Sequence, residues 1–393
     1  MSEKKQMAKE LLTVNDIRFH NKVNILTNIV KSSDITRNEL ALRNQISIMT
    51  VKHIVDELLQ NGLIEERMCR TAVGRKPMGL NLAECYGNIV CINLTCFGEI
   101  SYIIYNLKQC VLEQKKIVFG AEHKTYQKNL HDAIVQIRNS LGNLPTKTVG
   151  IAVFVPSAYY EEQDILNSDL ITELKDLHIK KLFSDAFRLE NIQVIHDTYA
   201  AAMSEYENMD TNHDSQFYLY CGDGVGGCFI HKGNAVHGDD LVAGEVGKMI
   251  LWYDKKDRKM ETLEERLSVP GIMKQIRENF PDMEFETALE AYERGEYKIM
   301  EIFDEALDTI ARVLYNLVWV YNPTRIVIDS CYKQYGSMIK KRAEQFFHEF
   351  QNSDISIRVQ FTEAQYDEYH MMRGCMNLVL KKWIEQAVMS PAD

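Results

Sequence analysis

The spacing of apolar residues divides the chain into a helical head and a long body in which strands and helices alternate. In the head, Val23, Ile25, Leu26, Ile29 and Val30 make one stripe of an amphipathic helix over residues 21–30. Thr36 is placed to cap a short helix through Leu40 and Leu42, and Asn44-Gln45 makes a turn. Ser47 caps a second helix, whose apolar positions Val51, Ile54, Val55, Leu58 and Leu59 keep helical spacing until Gly62 ends it. Residues 63–66 and 71–82 read as two strands with Gly74-Arg75-Lys76-Pro77 at or near the tip. Two short helices around a tight turn, followed by a hairpin, predict a winged helix-turn-helix.

From Gly87 the period changes. Strands are predicted over 88–94, 100–107 and 111–119, then a helix over 126–141 and a strand over 148–155. A helix over 179–187, a strand over 193–197 and a helix over 198–206 complete this half. β-rich runs then flank the cluster Gly222-Asp223-Gly224-Val225-Gly226-Gly227, with a turn at Lys232-Gly233-Asn234. Helices over 300–321, 338–350 and 371–387 alternate with strands over 325–328 and 356–361. Two halves that each open with antiparallel strands and continue as α/β predict a duplicated core with a cleft. The expected boundaries are 1–82 for the head, 83–206 for the first lobe and 207–393 for the second. The C-terminal helix is a candidate to return to the first lobe.

Charge sharpens this division. The whole chain has a net charge of −11, yet residues 1–80 carry 13 basic and 9 acidic side chains. Only the head is suited to face a polyanion. Ser47, Ile48, Met49, Thr50, Lys52 and His53 surround the start of the second helix, where base edges would be read. Arg70, Arg75 and Lys76 on the wing are placed for phosphates. A small helical protein-interaction domain is the alternative reading of the head. Elsewhere the nine cysteines are scattered without a C-x-x-C, as for reduced thiols in the cytoplasm. No apolar run reaches membrane-span length, and Met1–Lys5 has no apolar core behind it, so neither a membrane helix nor a signal peptide is expected.

The glycine cluster is suited to bring backbone N–H groups close to a ligand. The carboxylates Glu245 and Glu264 that follow it could accept hydrogen bonds from the hydroxyls of a small polar molecule. A purely structural hairpin would explain the same glycines.

Taken together these segments resemble the ROK family (repressor, open reading frame, kinase). In the head the likeness rests on Leu40-Ala41, Ile46-Ser47-Ile48-Met49-Thr50-Val51, Glu57 to Ile64 and Gly74-Arg75-Lys76-Pro77. In the body it rests on His196-Asp197 with Ala200-Ala201 and Glu205, on Gly222 to Gly227, and on Gly244-Glu245-Val246-Gly247-Lys248. Leu263-Glu264 with Ser268, and Asn322-Pro323 before Ile326-Val327-Ile328, complete the set. The resemblance implies a winged helix-turn-helix joined to an α/β actin/hexokinase-like body, a ribonuclease H-like duplication with a central cleft.

It also implies a sugar pocket formed by Asp197, Glu245 and Glu264, with His196 and Asp169 at or near positions where the family has asparagines. Lys248 stands where the family has a histidine that serves both sugar and zinc, and it would favour an acidic ligand such as a phosphorylated sugar. The family's zinc cysteines are missing, so no metal is expected. The family's first phosphate loop is replaced by Asn93-Leu94-Thr95-Cys96, Asp223 replaces a threonine, and Asp329-Ser330 replaces glycines. Phosphoryl transfer is therefore not expected, and no cofactor is assigned. The expected function is a DNA-binding regulator of carbohydrate-metabolism genes, a repressor by this reading. It would act as a cytoplasmic homodimer on an inverted-repeat operator, under control of a sugar or sugar derivative. The alternatives are an active ROK-type sugar kinase with a fused DNA-binding domain, and a regulator controlled by a protein partner.

Overall fold

Helix α1 (Val14–Lys31) buries Ile25, Leu26 and Ile29 against the helix-turn-helix formed by α2 (Arg37–Asn44) and α3 (Ile48–Gln60). This is a computed structural model, and it describes all residues except 1–13, 33, 69–77, 84–85, 97, 120–125, 158, 167–170, 176, 208–213, 240–241, 351–356, 366–367 and 390–393. Thr36 opens α2 through a capping box, its hydroxyl accepting from the Glu39 amide while the Glu39 carboxylate accepts from the Thr36 amide. Gln45 takes the left-handed conformation that ends α2, with φ 53°. The Ser47 hydroxyl accepts from the Thr50 amide at 3.1 Å and starts α3. Burial works to raise the Glu57 carboxyl on α3, but hydrogen bonds from Lys22 and Arg18 of α1 outweigh it and hold the group below the usual carboxylate range.

The wing strands β1 (Ile64–Met68) and β2 (Met78–Leu82) pair antiparallel, from Ile64↔Leu82 to Met68↔Met78. The Leu80 amide donates to the Ile35 carbonyl at 2.8 Å, and Asn81 bonds Asp34, so the wing stem is tied to the α1–α2 loop. The wing residues Arg70, Arg75 and Lys76 lie outside the described residues, as does Asp169.

The body repeats one plan twice. Strands β3 (Gly87–Asn93), β4 (Glu99–Asn106) and β5 (Val111–Val118) are followed by α4 (Tyr126–Gly142) and β6 (Lys147–Val155). A short hairpin, β7 (Tyr159–Tyr160) with β8 (Ile165–Leu166), then leads to α5 (Ile179–Phe187) and β9 (Ile192–His196). Their sheet has the order β5-β4-β3-β6-β9.

After α6 (Asp197–Glu207) come β10 (Ser215–Cys221), β11 (Val225–His231) and β12 (Asn234–Ala235), then the hairpin β13 (Ile250–Asp254) with β14 (Lys259–Thr262). Helices α7 (Leu263–Leu267), α8 (Val269–Arg277), α9 (Phe285–Glu293) and α10 (Tyr297–Tyr321) follow. The chain closes with β15 (Arg325–Asp329), α11 (Lys333–Phe350), β16 (Gln360–Glu363) and α12 (Glu368–Met389). The second sheet has the order β12-β11-β10-β15-β16, which is the first order again.

By its internal contacts the chain forms two compact units. One contains residues 1–153, 179–194 and 376–393, and the other contains 154–178 and 195–375. In the second unit the side chains of β10 alternate. Phe217, Leu219 and Cys221 enter the core built by α7 to α11, whereas Tyr218 packs with Ala202 and Met203 of α6. The sheet is covered on both faces, and α6 packs on β10 and β11.

Helix α11 begins five residues before the predicted helix. Tyr335 anchors its first turn, buried with its hydroxyl donating to the Leu267 carbonyl at 2.8 Å. Among the described residues no helix is long and apolar enough to cross a membrane.

Candidate functional site

The glycine-rich turn between β10 and β11 is set by contacts that leave no room for side chains. Gly244 has φ +99°, and a Cβ there would stand 2.1 Å from the Gly227 carbonyl oxygen. In return the Gly227 amide donates to the Gly244 carbonyl at 2.8 Å. At Gly247 a Cβ would lie 2.3 Å from the Val225 carbonyl oxygen. The segment Gly244-Glu245-Val246-Gly247 is thus pressed onto β11, which fixes Glu245 and Lys248 beside the turn.

Glu264 lies in the first turn of α7, which Thr262 and Glu265 open with a second capping box. Its Oε2 accepts from the Val225 amide at 3.2 Å, and its Oε1 is 3.9 Å from Lys248 Nζ. Glu264 therefore clamps the glycine turn, and its pairing with the mostly exposed Lys248 is long and weak. Ser268 caps α8 through the Gly271 amide at 3.2 Å, which is a structural task. Glu245 is half-buried, and its carboxylate makes no hydrogen bond or ion pair among the described residues.

Asp197 is the first residue of α6, where the helix dipole favours a carboxylate. Its Oδ1 accepts from the Thr198 amide at 2.6 Å and the Thr198 hydroxyl at 3.2 Å, and lies 3.3 Å from His196 Nε2. The sequence places Asp197 in the first lobe and Glu245 in the second. The structure puts both in the same compact unit, because α6 packs on β10 and β11.

Two further residues belong to this neighbourhood and were not among the sequence candidates. His237 stacks edge-on against Tyr199, with centroids 4.8 Å apart. Burial, with the neighbouring His196, lowers its pKa. Its position between a hairpin and a glycine-rich segment was the available signal.

Tyr220 folds back under the glycine turn. A Cβ on Gly222 would stand 2.2 Å from its hydroxyl oxygen and 2.6 Å from Cζ. Burial, and then Cys331, Asp223, Asp197 and Asp329, push its phenol up. The ring therefore lies among the carboxylate of α6, the acid of the glycine turn and the end of β15.

Beside it, the Tyr218 hydroxyl donates to Asp329 Oδ2. Burial raises the Asp329 carboxyl despite that bond and one from the Ser330 amide. A carboxyl raised in the folded state contributes stability below its unfolded pKa and loses it as pH rises through the folded value. An Asp329→Asn chain, still able to accept from Tyr218, should therefore melt a few degrees above wild type at neutral pH. The advantage should shrink on acidification towards about pH 4. Melting curves across pH check this, and a lower melting temperature at neutral pH would refute it.

The helix-turn-helix presents its own surface. Ser47, Ile48, Met49, Lys52 and His53 are exposed, and Thr50 is half-buried. The hydroxyls of Ser47 and Thr50 lie 2.8 Å apart and bond each other. The acids near this helix are matched: Glu57 by Arg18 and Lys22, and Asp56 and Glu66 by Arg37.

A winged helix-turn-helix carried on a duplicated α/β body defines the class of protein. The chain belongs to the ROK family, whose profile matches residues 97–382. The xylose repressor of Staphylococcus xylosus is 21% identical over 362 residues, covering 88% of this chain and 91% of that protein. The xylose repressor of Caldicellulosiruptor bescii is 20% identical over 387 residues, covering 92% and 95%. Among solved structures, a ROK family transcriptional regulator described as a homolog of the E. coli MLC protein matches with a TM-score of 0.77. It covers 95% of this chain and 98% of that one at 18% identity. The ROK hexokinase from Thermus thermophilus matches with a TM-score of 0.59, over 75% of this chain and 97% of its own, at 15% identity. Both structures share the fold.

Proposed function

We propose that this chain is a transcriptional repressor that binds DNA through its winged helix-turn-helix and is controlled by a sugar or sugar derivative held in its ROK body. The observation that carries the reading is the joining of the two parts in one chain, supported by relatives named xylose repressors. The ligand set is Asp197, Glu245 and Glu264 as acceptors for hydroxyls, with His196 beside Asp197 and Lys248 at the rim. Asp169 is retained as a further candidate. Glu245, without another bond among the described residues, is the carboxylate most available to a hydroxyl. A ligand can alter DNA affinity only by binding the competent and incompetent states unequally. As a homodimer the protein would read an inverted repeat, one half-site per recognition helix. Arg70, Arg75 and Lys76 would meet phosphates.

A sugar kinase is the competing activity, and this chain's residues argue against it. Asp223 would set a carboxylate near a nucleotide's phosphates, which repel it, and Asp329-Ser330 stand where the family has glycines against the adenosine. The Asn93 side chain accepts from the Thr95 amide at 3.0 Å within its own turn. The zinc of related proteins does not fit either. Lys248 stands at the histidine position, and among the described residues no three His, Cys, Asp or Glu side chains are grouped to hold a metal.

The test is selection of duplexes from random DNA with the purified chain, alongside thermal screening of sugars and phosphosugars. A bound duplex released by a stabilising sugar is expected. Failure to enrich any duplex, or hexose phosphorylation near the enzyme median of about 10 per second, overturns the reading. Glu245→Ala should keep its DNA affinity and require roughly 10- to 100-fold more of the stabilising sugar for release, the worth of one hydrogen bond to a charged group. Release at an unchanged sugar concentration would remove Glu245 from the pocket.

A further inference from the structure

The start of α3 carries two large apolar side chains that the fold does not use. Ile48 is 49% and Met49 60% exposed, while Val51, Ile54, Val55 and Leu58 of the same helix are buried. Helical spacing puts Ile48 beside Lys52, and Met49 beside both Lys52 and His53, so all four share one face. The two hydroxyls at this end are bonded to each other in the cap, which uses part of their capacity to read bases. The neighbouring carboxylates are matched by Arg18, Lys22 and Arg37, so the face presents a cation and an imidazole around an apolar centre without a bare acid.

Resting on the DNA-binding reading, we infer that Ile48 and Met49 read the C5-methyl groups of thymine in the major groove. Thymine is the one base of unmodified DNA that offers an apolar group there, and an α-helix fits that groove. Each half-site then presents thymines opposite the first turn of α3, and Lys52 and His53 supply the polar contacts around them. Preference at these positions comes from burying a methyl rather than from a bidentate hydrogen bond.

The experiment uses the full chain and a duplex it selects from random DNA. Half-site thymines are replaced one at a time by uracil, which deletes the methyl and keeps every base-pairing and hydrogen-bonding group. Anisotropy titrations should show each methyl that is read to be worth roughly fourfold in affinity. Ile48→Ala and Met49→Ala should each bind more weakly and lose the thymine-over-uracil preference at one position. Being exposed, neither site should change the melting curve. Equal binding of thymine and uracil duplexes by wild type overturns the inference while leaving DNA binding intact. Variants that keep the full preference also overturn it. If the variants instead shift the mass of the protein by light scattering and leave the preference untouched, the face serves self-association. Failure to select any duplex would sink the DNA-binding reading itself.

Discussion

Replacing Gly244 by alanine should cost the second unit about 3 kcal/mol or more and remove its response to ligand. The side chain would have to adopt φ +99° with its Cβ 2.1 Å from the Gly227 carbonyl. That oxygen belongs to strand backbone and cannot swing away as a flexible side chain would. Relief requires moving the Gly244-Glu245 segment off β11 and breaking the Gly227 to Gly244 hydrogen bond, which displaces Glu245. Thermal melting should show an early loss of the body, and sugars that stabilise wild type should have little effect. DNA affinity at low temperature should persist, since the helix-turn-helix belongs to the other unit. Gly142→Ala is the control, because a Cβ there meets nothing within 4 Å. A Gly244→Ala chain that melts and responds like wild type would mean that the turn tolerates rearrangement, and the argument for its rigidity would fail.

Reversing the charge at Lys52 should weaken operator binding about 100-fold at physiological salt. The estimate takes roughly 1–3 kcal/mol per lost contact and counts two recognition helices in the proposed dimer. Lys52 is exposed and makes no ion pair among the described residues, so Lys52→Glu should leave the melting temperature unchanged. The salt dependence should also flatten, because fewer counterions are released. Anisotropy at several salt concentrations measures both effects. Binding within twofold of wild type would move the DNA-reading face away from this side of α3.

The local features of the head were legible because they are written within a few residues. Thr36 with Glu39, and Ser47 with Thr50, satisfy helix-terminal amides wherever those helices sit in the fold. The order of strands and helices in the body was legible for the same reason, as was the glycine segment around Gly244. What each side chain meets was less so. Ser268 matched a ligand-family motif yet caps α8, and Glu264 spends one oxygen on the Val225 amide. Tyr220 escaped notice because nothing in its neighbours along the chain marks it, and His237 because its place between a hairpin and a glycine-rich segment says nothing of what it packs against. Their surroundings are assembled from α6, the glycine turn and the end of β15.

The sequence by itself therefore determined the two-part plan, the repeated α/β pattern and the candidate carboxylates. The plan and the pattern follow from hydrophobic period, capping residues and spacing, all short-range properties of a chain, and the carboxylates follow from their place in segments that resemble the ROK family. Only the tertiary structure decided that α6 packs on β10 and β11, which brings Asp197 into the same unit as Glu245. It also decided that Tyr220 turns under Gly222, and that Ile48 and Met49 stay in solvent while the rest of the α3 stripe is buried. The physical reason is common to all three. Burial and distance are set by elements far apart in sequence, so a side chain's role is fixed only when those elements meet.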